Sequence, residues 1–138
     1  MSDTVPYKPP FTVVVADDDP AWRLLVRLVL EPHGYHLVDA CDGVDALHAT
    51  RAWSPEVLVL DLTMPHMGGV EVCQHLHAVS KPRPGIIVMT ATDDVAGLQE
   101  GRSIGADRLL VKPFNPVELL RAVESLVGNR QTDDCVRS

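Results

Sequence analysis

The sequence "LVLDLTMPHMGG" (residues 58–69) carries an apolar run directly into a carboxylate and then into a turn. The four residues from Leu58 to Asp61 are typical of the end of a buried strand, yet the last of them is an acid. Pro65 and two glycines then interrupt the chain. Because a charged group is rarely buried without a partner, this acid needs an explanation from the rest of the sequence.

The composition is that of one globular domain. The chain has 138 residues, which is an ordinary domain size, and its 46% of hydrophobic residues is enough for a sizeable core. A net charge of −7 argues against a nucleic-acid-binding surface, which usually carries a basic excess. The three cysteines form no CxxC pair and favour a cytoplasmic location over a disulfide framework. Neither a signal peptide nor a membrane span is predicted.

Short apolar runs alternate with longer amphipathic segments along the whole chain. The strands are predicted at residues 11–16, 35–40, 56–61, 86–91 and 107–112. The helices are predicted within residues 19–34, 43–53, 69–79, 93–105 and 115–128. Strict alternation of this kind predicts an α/β fold, in which right-handed crossovers build a parallel sheet with helices on both faces.

The ends of the first and last helices are marked by capping residues. Asp19 and Asn115 are predicted N-caps, and each is followed by a proline at the first helical position. Gly128 is predicted to end the last helix. The predicted organisation is an N-terminal extension at 1–10, one domain at 11–128 and a polar tail at 129–138.

Polar residues stand at the carboxyl ends of the first, third, fourth and fifth predicted strands. These strand ends meet at one edge of a parallel sheet, which is where such folds bind ligands. We therefore expect the polar side chains to lie close together. They are Asp17, Asp18 and Asp19 after the first strand, Asp61 in the third, Thr90 in the fourth and Lys112 in the fifth.

The acidic residues of this edge are suited to a divalent cation. Crowded carboxylates repel one another, and a hard cation with oxygen ligands relieves the repulsion. Asp17, Asp18, Asp61 and the backbone carbonyl of Thr63 would supply part of the shell for Mg²⁺, with Mn²⁺ as an alternative. The remaining positions could hold water and a phosphoryl oxygen.

The same edge predicts phosphoryl chemistry. With its charge neutralised, Asp61 could act as a nucleophile at phosphorus. Lys112 could stabilise the developing phosphoryl charge, and the hydroxyl of Thr90 could donate a hydrogen bond to a phosphoryl oxygen. The acid at the tip of the apolar strand is then the reacting group.

Five motifs, in this order along the chain, resemble those of the receiver domains of two-component response regulators, including the chemotaxis regulators. The resemblance covers about residues 11 to 128. The motifs are "VVVADDDP" (13–20), "LVLDLTMPHMGG" (58–69), "IIVMTA" (86–91), "GAD" (105–107) and "VKPF" (111–114).

The resemblance implies a flavodoxin-like (βα)5 fold with strand order 2-1-3-4-5, and a role for each matching residue. Asp61 corresponds to the phospho-acceptor, Asp17 and Asp18 to the metal-binding acids, and Thr63 to the residue whose carbonyl binds the metal. Thr90 corresponds to the switch hydroxyl and Lys112 to the phosphoryl-stabilising lysine. Pro113 would follow that lysine through a cis peptide bond.

The resemblance also implies partners. The phosphoryl donor would be a sensor histidine kinase or a histidine phosphotransfer protein. The signal would pass to a downstream protein or to a C-terminal output domain that this chain does not contain. A homodimer through the fourth helix, fifth strand and fifth helix is a further expectation. Binding of nucleic acid or membrane by this domain is not expected.

Leu109 departs from the family pattern. Receivers commonly have Tyr or Phe three residues before the lysine, and that ring moves inward together with the switch threonine. Leucine has no such ring, so phosphorylation is predicted to shift the fourth helix instead, which Gly97 and Gly101 destabilise.

Trp22 has two interpretations at this stage. It is predicted to pack in the core or against the first helix. Alternatively, the face of the first helix that carries it docks a kinase or phosphotransfer protein.

Two other functions remain as alternatives to a phospho-accepting switch, which is not itself an enzyme. One is a pseudo-receiver, an interaction module without phosphotransfer. The complete set of acids, threonine and lysine argues against it. The other is an aspartyl-phosphate hydrolase resembling the haloacid dehalogenase-type phosphatases. Those enzymes usually carry a second acid two residues after the nucleophile, where this chain has Thr63.

Overall fold

Five parallel strands form one sheet in the order β2-β1-β3-β4-β5. The computed structural model describes residues 11–79, 83–91, 99 and 103–137. The predicted order is confirmed, and each predicted strand lies within one residue of its observed bounds. The strands are β1 (Thr12–Ala16), β2 (His36–Ala40), β3 (Val57–Asp61), β4 (Gly85–Ala91) and β5 (Arg108–Lys112).

Helices follow β1, β2, β3 and β5 and cover both faces of the sheet. The carboxylate of Asp19 accepts a hydrogen bond from the backbone N–H of Ala21 and caps α1, as predicted. A 3-10 turn over Glu31–His33 follows α1, and Gly34 ends it in the left-handed conformation. The described helices are α1 (Pro20–Leu30), α2 (Gly43–Trp53), α3 (Gly69–Val79) and a C-terminal helix (Pro116–Arg137).

The sheet separates two apolar cores. The first core lies under α1 and the C-terminal helix, and includes Val26, Leu30 and Leu119, all fully buried. The second core lies under α2 and α3, and includes Leu47 and Val72. Alternate residues of β1, β3 and β4 contribute to opposite cores because successive strand side chains point to opposite faces. This explains why these strands read as uninterrupted apolar runs.

The C-terminal helix is longer than predicted. Gly128 does not end it, and the helix continues to Arg137. A glycine terminates a helix when it adopts the left-handed conformation, and among the described glycines only Gly34 and Gly105 have positive φ. The residues after Gly128 include no proline, and several of them are good helix formers.

Two predictions fall outside the described part of the chain. The N-terminal extension at 1–10 is one, and most of the fourth helix, with Gly97 and Gly101, is the other. Within the residues that the structure describes, no helix is both long and apolar enough to cross a membrane.

Candidate functional site

The end of β1 brings two acids to the edge of the sheet in different environments. Asp17 is fully buried, and its backbone N–H donates to the carbonyl of Ala40 at 3.1 Å. One carboxylate oxygen of Asp17 accepts a hydrogen bond from the backbone N–H of Asp19 at 2.9 Å. Asp18 is exposed. The strand end therefore offers one fixed and one solvated carboxylate.

Asp61 is the last residue of β3 and is only 8% exposed. It lies opposite Met89 of β4, and the next residue, Leu62, donates its N–H to the carbonyl of Met89 at 3.1 Å. One carboxylate oxygen accepts a hydrogen bond from the N–H of Thr63 at 3.2 Å. These bonds hold the acid at the start of the β3–α3 loop.

Lys112, at the end of β5, reaches both buried acids. Its Nζ lies 2.7 Å from Oδ2 of Asp17 and 3.7 Å from Oδ2 of Asp61. The side chain is 15% exposed, so this ion pair is shielded from water. The Lys112–Pro113 peptide bond is cis. A cation from the fifth strand thus lies between carboxylates from the first and third.

Thr90 and Leu109 lie near the acids on neighbouring strands. Thr90 is 2% exposed and follows Met89, the partner of Asp61 in the sheet. Leu109 is opposite Val88 and packs against the second core. The structure therefore brings the threonine to the same edge as Asp61. The leucine fills an apolar position farther back in the sheet, three residues before Lys112.

The electrostatics of Asp61 are unusual for an aspartate. Burial raises its pKa to about 6, and repulsion from Asp17 adds to the effect. The cation of Lys112 and the hydrogen bond from Thr63 act in the opposite direction but do not offset it. Lys112 pairs with Asp17 and Asp61, and Asp18 adds a third carboxylate to the same group, so the acids outnumber the lysine.

The donor set fits a hard divalent cation. Carboxylate oxygens of Asp17, Asp18 and Asp61 all lie within 4.8 Å of one another. Oxygen ligands, two of them on largely buried side chains, are what Mg²⁺ and similar ions prefer, and a cation would relieve the crowding that raises the pKa of Asp61.

Comparison with known sequences decides the family. Residues 13–124 match the response regulator receiver domain.

This chain belongs to that family.

Relatives of the receiver agree with this assignment. Over 126 residues, 91% of the chain, it is 39% identical to Response regulator MprA of Mycobacterium leprae and to that of Mycobacterium tuberculosis strain H37Rv. The alignments cover 55% and 54% of those proteins. The chain therefore spans about half the length of the curated relatives it matches.

Solved receivers share the fold as well as the sequence pattern. A putative response regulator from Chloroflexus aurantiacus is 30% identical, with a TM-score of 0.80 over 86% of this chain and 98% of that one. The chemotaxis response regulator CheY4 of Vibrio cholerae is 33% identical, with a TM-score of 0.75 over 84% of this chain and 98% of that one.

Three contacts around the receiver site are absent from the sequence-based prediction. Trp22 places its ring beside the ammonium group of Lys112, with 4.8 Å from Nζ to the ring centroid. Arg23 donates from Nη1 to the backbone carbonyl of Asp17. His66 bonds through Nδ1 to Asp42 at 2.8 Å. Each contact joins residues far apart in sequence or depends on the conformation of a loop, so no local sequence pattern predicts it.

A second group of metal-type ligands has a structural explanation. Cys41, Asp42 and Asp45 lie together at the start of α2, where Cys41 and Asp45 are exposed and Asp42 is partly buried. Asp42 caps α2 by accepting from the N–H of Asp45, whose carboxylate in turn accepts from the Sγ of Cys41 at 2.8 Å. This group is a helix cap of the receiver.

Proposed function

We propose that this receiver accepts a phosphoryl group on Asp61 from a phosphohistidine donor. One carboxylate oxygen of Asp61 attacks phosphorus, and the bond between phosphorus and the donor nitrogen breaks. The electron pair of that bond stays with the imidazole, which takes up a proton. Asp61 becomes an acyl phosphate, and attack by water on phosphorus later releases inorganic phosphate and restores the carboxylate.

The single observation that carries this proposal is the convergence of Asp61, Asp17 and Lys112 at one strand edge. Their charged atoms lie within 2.7 to 3.7 Å of the lysine nitrogen, although the three residues come from different strands. A structural ion pair needs one acid and one base. The additional carboxylate, at the mouth of a loop, is the arrangement expected of a nucleophile beside a charge-stabilising cation.

Mg²⁺, or Mn²⁺ in its place, would be held by Asp17, Asp18, Asp61 and the carbonyl of Thr63. When bound, the ion supplies neutralisation of the negative charge that gathers on carboxylate and phosphoryl oxygens. The chain itself orients Asp61 through the Thr63 N–H, which donates to Oδ1, and supplies the Lys112 cation near Oδ2.

Thr90 is the proposed first element of the response to phosphorylation, and Leu109 limits the form that the response can take. Thr90 lies on the strand beside Asp61, where its hydroxyl can donate to a phosphoryl oxygen. Leu109 cannot exchange places with it as an aromatic ring would. We therefore expect loop and helix movement to carry the signal.

The proposed role is that of a cytoplasmic switch that assists its own phosphorylation and dephosphorylation, and not of an enzyme with an external substrate. The donor would be a sensor histidine kinase or histidine phosphotransfer protein. The relatives are named response regulators and are about twice as long as this chain. This supports the proposal that the signal passes to an output domain or to a downstream protein. Pairing through the face that includes β5 is the proposed dimer contact.

Acetyl phosphate with Mg²⁺, read by intact mass, tests the proposal. Wild-type protein should gain one phosphoryl group, and Asp61→Asn should gain none. Glu71→Gln is the matched control, because Glu71 is an exposed acid on α3. It should react as wild type does.

The alternatives give different results in the same assay. Absence of an adduct together with absence of Mg²⁺ binding would indicate a pseudo-receiver. Rapid, multiple turnover of small phosphate esters that depends on Asp61 would indicate a hydrolase. Either result contradicts the proposal.

A further inference from the structure

We infer that Trp22 is a positioning residue for Lys112, holding the ammonium group on the side of the acids where the phosphoryl group arrives. The inference rests on the proposed function, since it concerns how fast Asp61 accepts a phosphoryl group. It assigns to α1 a direct contact with the machinery of the reaction. The observation that carries it is the position of the indole ring beside Nζ.

The ammonium group of Lys112 is enclosed on three sides. Asp17 lies at 2.7 Å, Asp61 lies at 3.7 Å, and the ring centroid of Trp22 lies at 4.8 Å from Nζ. A cation within about 6 Å of an indole centroid is attracted by the negative face of the ring, and tryptophan is the strongest of the aromatic partners. The ring also occupies space that water would otherwise fill.

Trp22 is itself held firmly enough to act in this way. Its ring lies 5.2 Å from the ring of Phe114, centroid to centroid, with the planes inclined at 40°. Phe114 is 6% exposed and belongs to the first core, against which Trp22 also packs. Trp22 stands in the first turn of α1, three residues after the cap Asp19. The ring is thus fixed to both the acidic end of β1 and the segment after β5.

Lysine needs such a support because its side chain is flexible. The stem has four carbons, and the charge is a compact ammonium with three donors. One of these donors is used on Asp17, so Asp17 competes with Asp61 for the ammonium group. Without the ring, Nζ would keep its pair with Asp17 but would be held less closely beside Asp61. The cation then meets the developing phosphoryl charge less often in a productive position.

The first experiment compares rates of phosphoryl uptake from acetyl phosphate with Mg²⁺. Trp22→Leu keeps an apolar side chain but removes the ring face, and it should slow uptake by about fivefold. Trp22→Phe restores an aromatic face and should give an intermediate rate. Trp53→Leu is the matched control: Trp53 is 49% exposed and packs on His36, with ring centroids 4.9 Å apart. It should react at the wild-type rate.

A double-mutant cycle separates positioning from a general structural effect. If Trp22 acts through Lys112, adding Trp22→Leu to Lys112→Met should cause no further loss of rate. A further loss equal to that seen with the lysine present would overturn the inference. Equal rates for wild type and Trp22→Leu would also overturn it, while the phosphoryl adduct on wild type would leave the proposed function standing.

Fluorescence supplies a readout that does not depend on rate. In a Trp53→Phe background the remaining tryptophan is Trp22. Its emission should change when Mg²⁺ and acetyl phosphate are added, because the ammonium group shifts relative to the ring. The change should disappear when Lys112→Met is introduced. An unchanged response without the lysine would contradict the inference. Absence of any phosphoryl adduct on the Trp53→Phe protein would instead contradict the proposed function.

Discussion

The ammonium group of Lys112 donates a hydrogen bond of 2.7 Å to the fully buried Asp17. This pair joins the end of β1 to the end of β5, which are separated in the sheet by β3 and β4. The proposed phosphorylation site therefore also contributes to the stability of the fold.

Removal of the lysine should therefore destabilise the protein. Lys112→Met leaves Asp17 buried without its cation, and breaking a buried pair in this way costs about 3 kcal/mol. The measurement is urea-induced unfolding in the presence of a chelator. The double variant Lys112→Met/Asp17→Asn removes the uncompensated charge and should recover most of the loss. A double variant as unstable as the single one would show that charge is not the cause.

The raised pKa of Asp61 predicts a pH-dependent effect on stability in the absence of metal. Because its pKa is about 6 in the folded protein and ordinarily 3.8, folding favours the protonated form. The stability that this group contributes is complete below about pH 4 and is lost as the pH rises through about 6. Asp61→Asn does not titrate, so near neutral pH it should exceed wild type in stability by up to about 3 kcal/mol.

The test is to measure the free energy of unfolding of both proteins from about pH 4 to about pH 7.5 in a chelator. The advantage of Asp61→Asn should grow across this range. Glu71→Gln, which alters an exposed acid, should show no such trend. A difference between wild type and Asp61→Asn that is constant with pH would contradict the prediction.

Magnesium should stabilise the fold through the same carboxylates. An ion that binds only the folded state adds about 2.7 kcal/mol at a concentration one hundred times its Kd. Thermal unfolding with increasing Mg²⁺ should therefore show a rising Tm for wild type. The rise should be strongly reduced in Asp17→Asn and in Asp61→Asn. An equal rise in all three proteins would indicate that the ion binds elsewhere.

Gly43 marks a close approach between α2 and the loop that follows Asp61. A Cβ atom at this position would collide with the backbone carbonyl of Met67. Gly43→Ala should destabilise the protein by about 1–3 kcal/mol, because backbone atoms must move to relieve the overlap. It should also slow phosphorylation, since the displaced loop carries Thr63.

Gly128→Ala is the control for this substitution. Apart from its chain neighbours and its own helix backbone, no heavy atom of the described residues lies within 4 Å of the position that its Cβ would occupy, and the residue is within a helix. It should stabilise the protein by about 0.5–1 kcal/mol and leave phosphorylation unchanged. Equal effects of the two substitutions on urea unfolding would contradict the role assigned to the Met67 contact.

Much of the fold follows from local sequence because the relevant signals are local. An apolar run covered on both faces identifies a strand, as in Val57–Asp61, and apolar spacing identifies helices such as α2 and α3. The predicted bounds of these two helices, 43–53 and 69–79, equal the observed ones. The predicted end of the C-terminal helix, at Gly128, was wrong because a single glycine can adopt either a helical or a left-handed conformation. The residues around the glycine determine which of the two it adopts.

In the candidate site, too, some contacts can be predicted from sequence and others cannot. The approach of Asp17, Asp61 and Lys112 follows from strand ends meeting at one edge of a parallel sheet. The contact of Trp22 with Lys112 depends on which helix lies over which strand and on the packing of Phe114. Patterns along the chain do not contain that information.

His66 shows a limit of a different kind. Its φ is +68°, a conformation that residues with side chains rarely adopt. In this conformation its ring bonds to Asp42 at the start of α2. The His66 side chain is still 72% exposed. Its contact with Asp42 cannot be predicted from sequence, because the conformation of one loop residue is set by the tertiary contacts around it.

The two cores on opposite faces of the sheet have a consequence for variation among receivers. Apolar side chains on α1 and the C-terminal helix contact one core, and those on α2 and α3 contact the other. Since the sheet keeps the two sets of side chains apart, substitutions on one face can accumulate without requiring compensating changes on the other. The helices on one face can thus change in sequence while those on the other face stay the same.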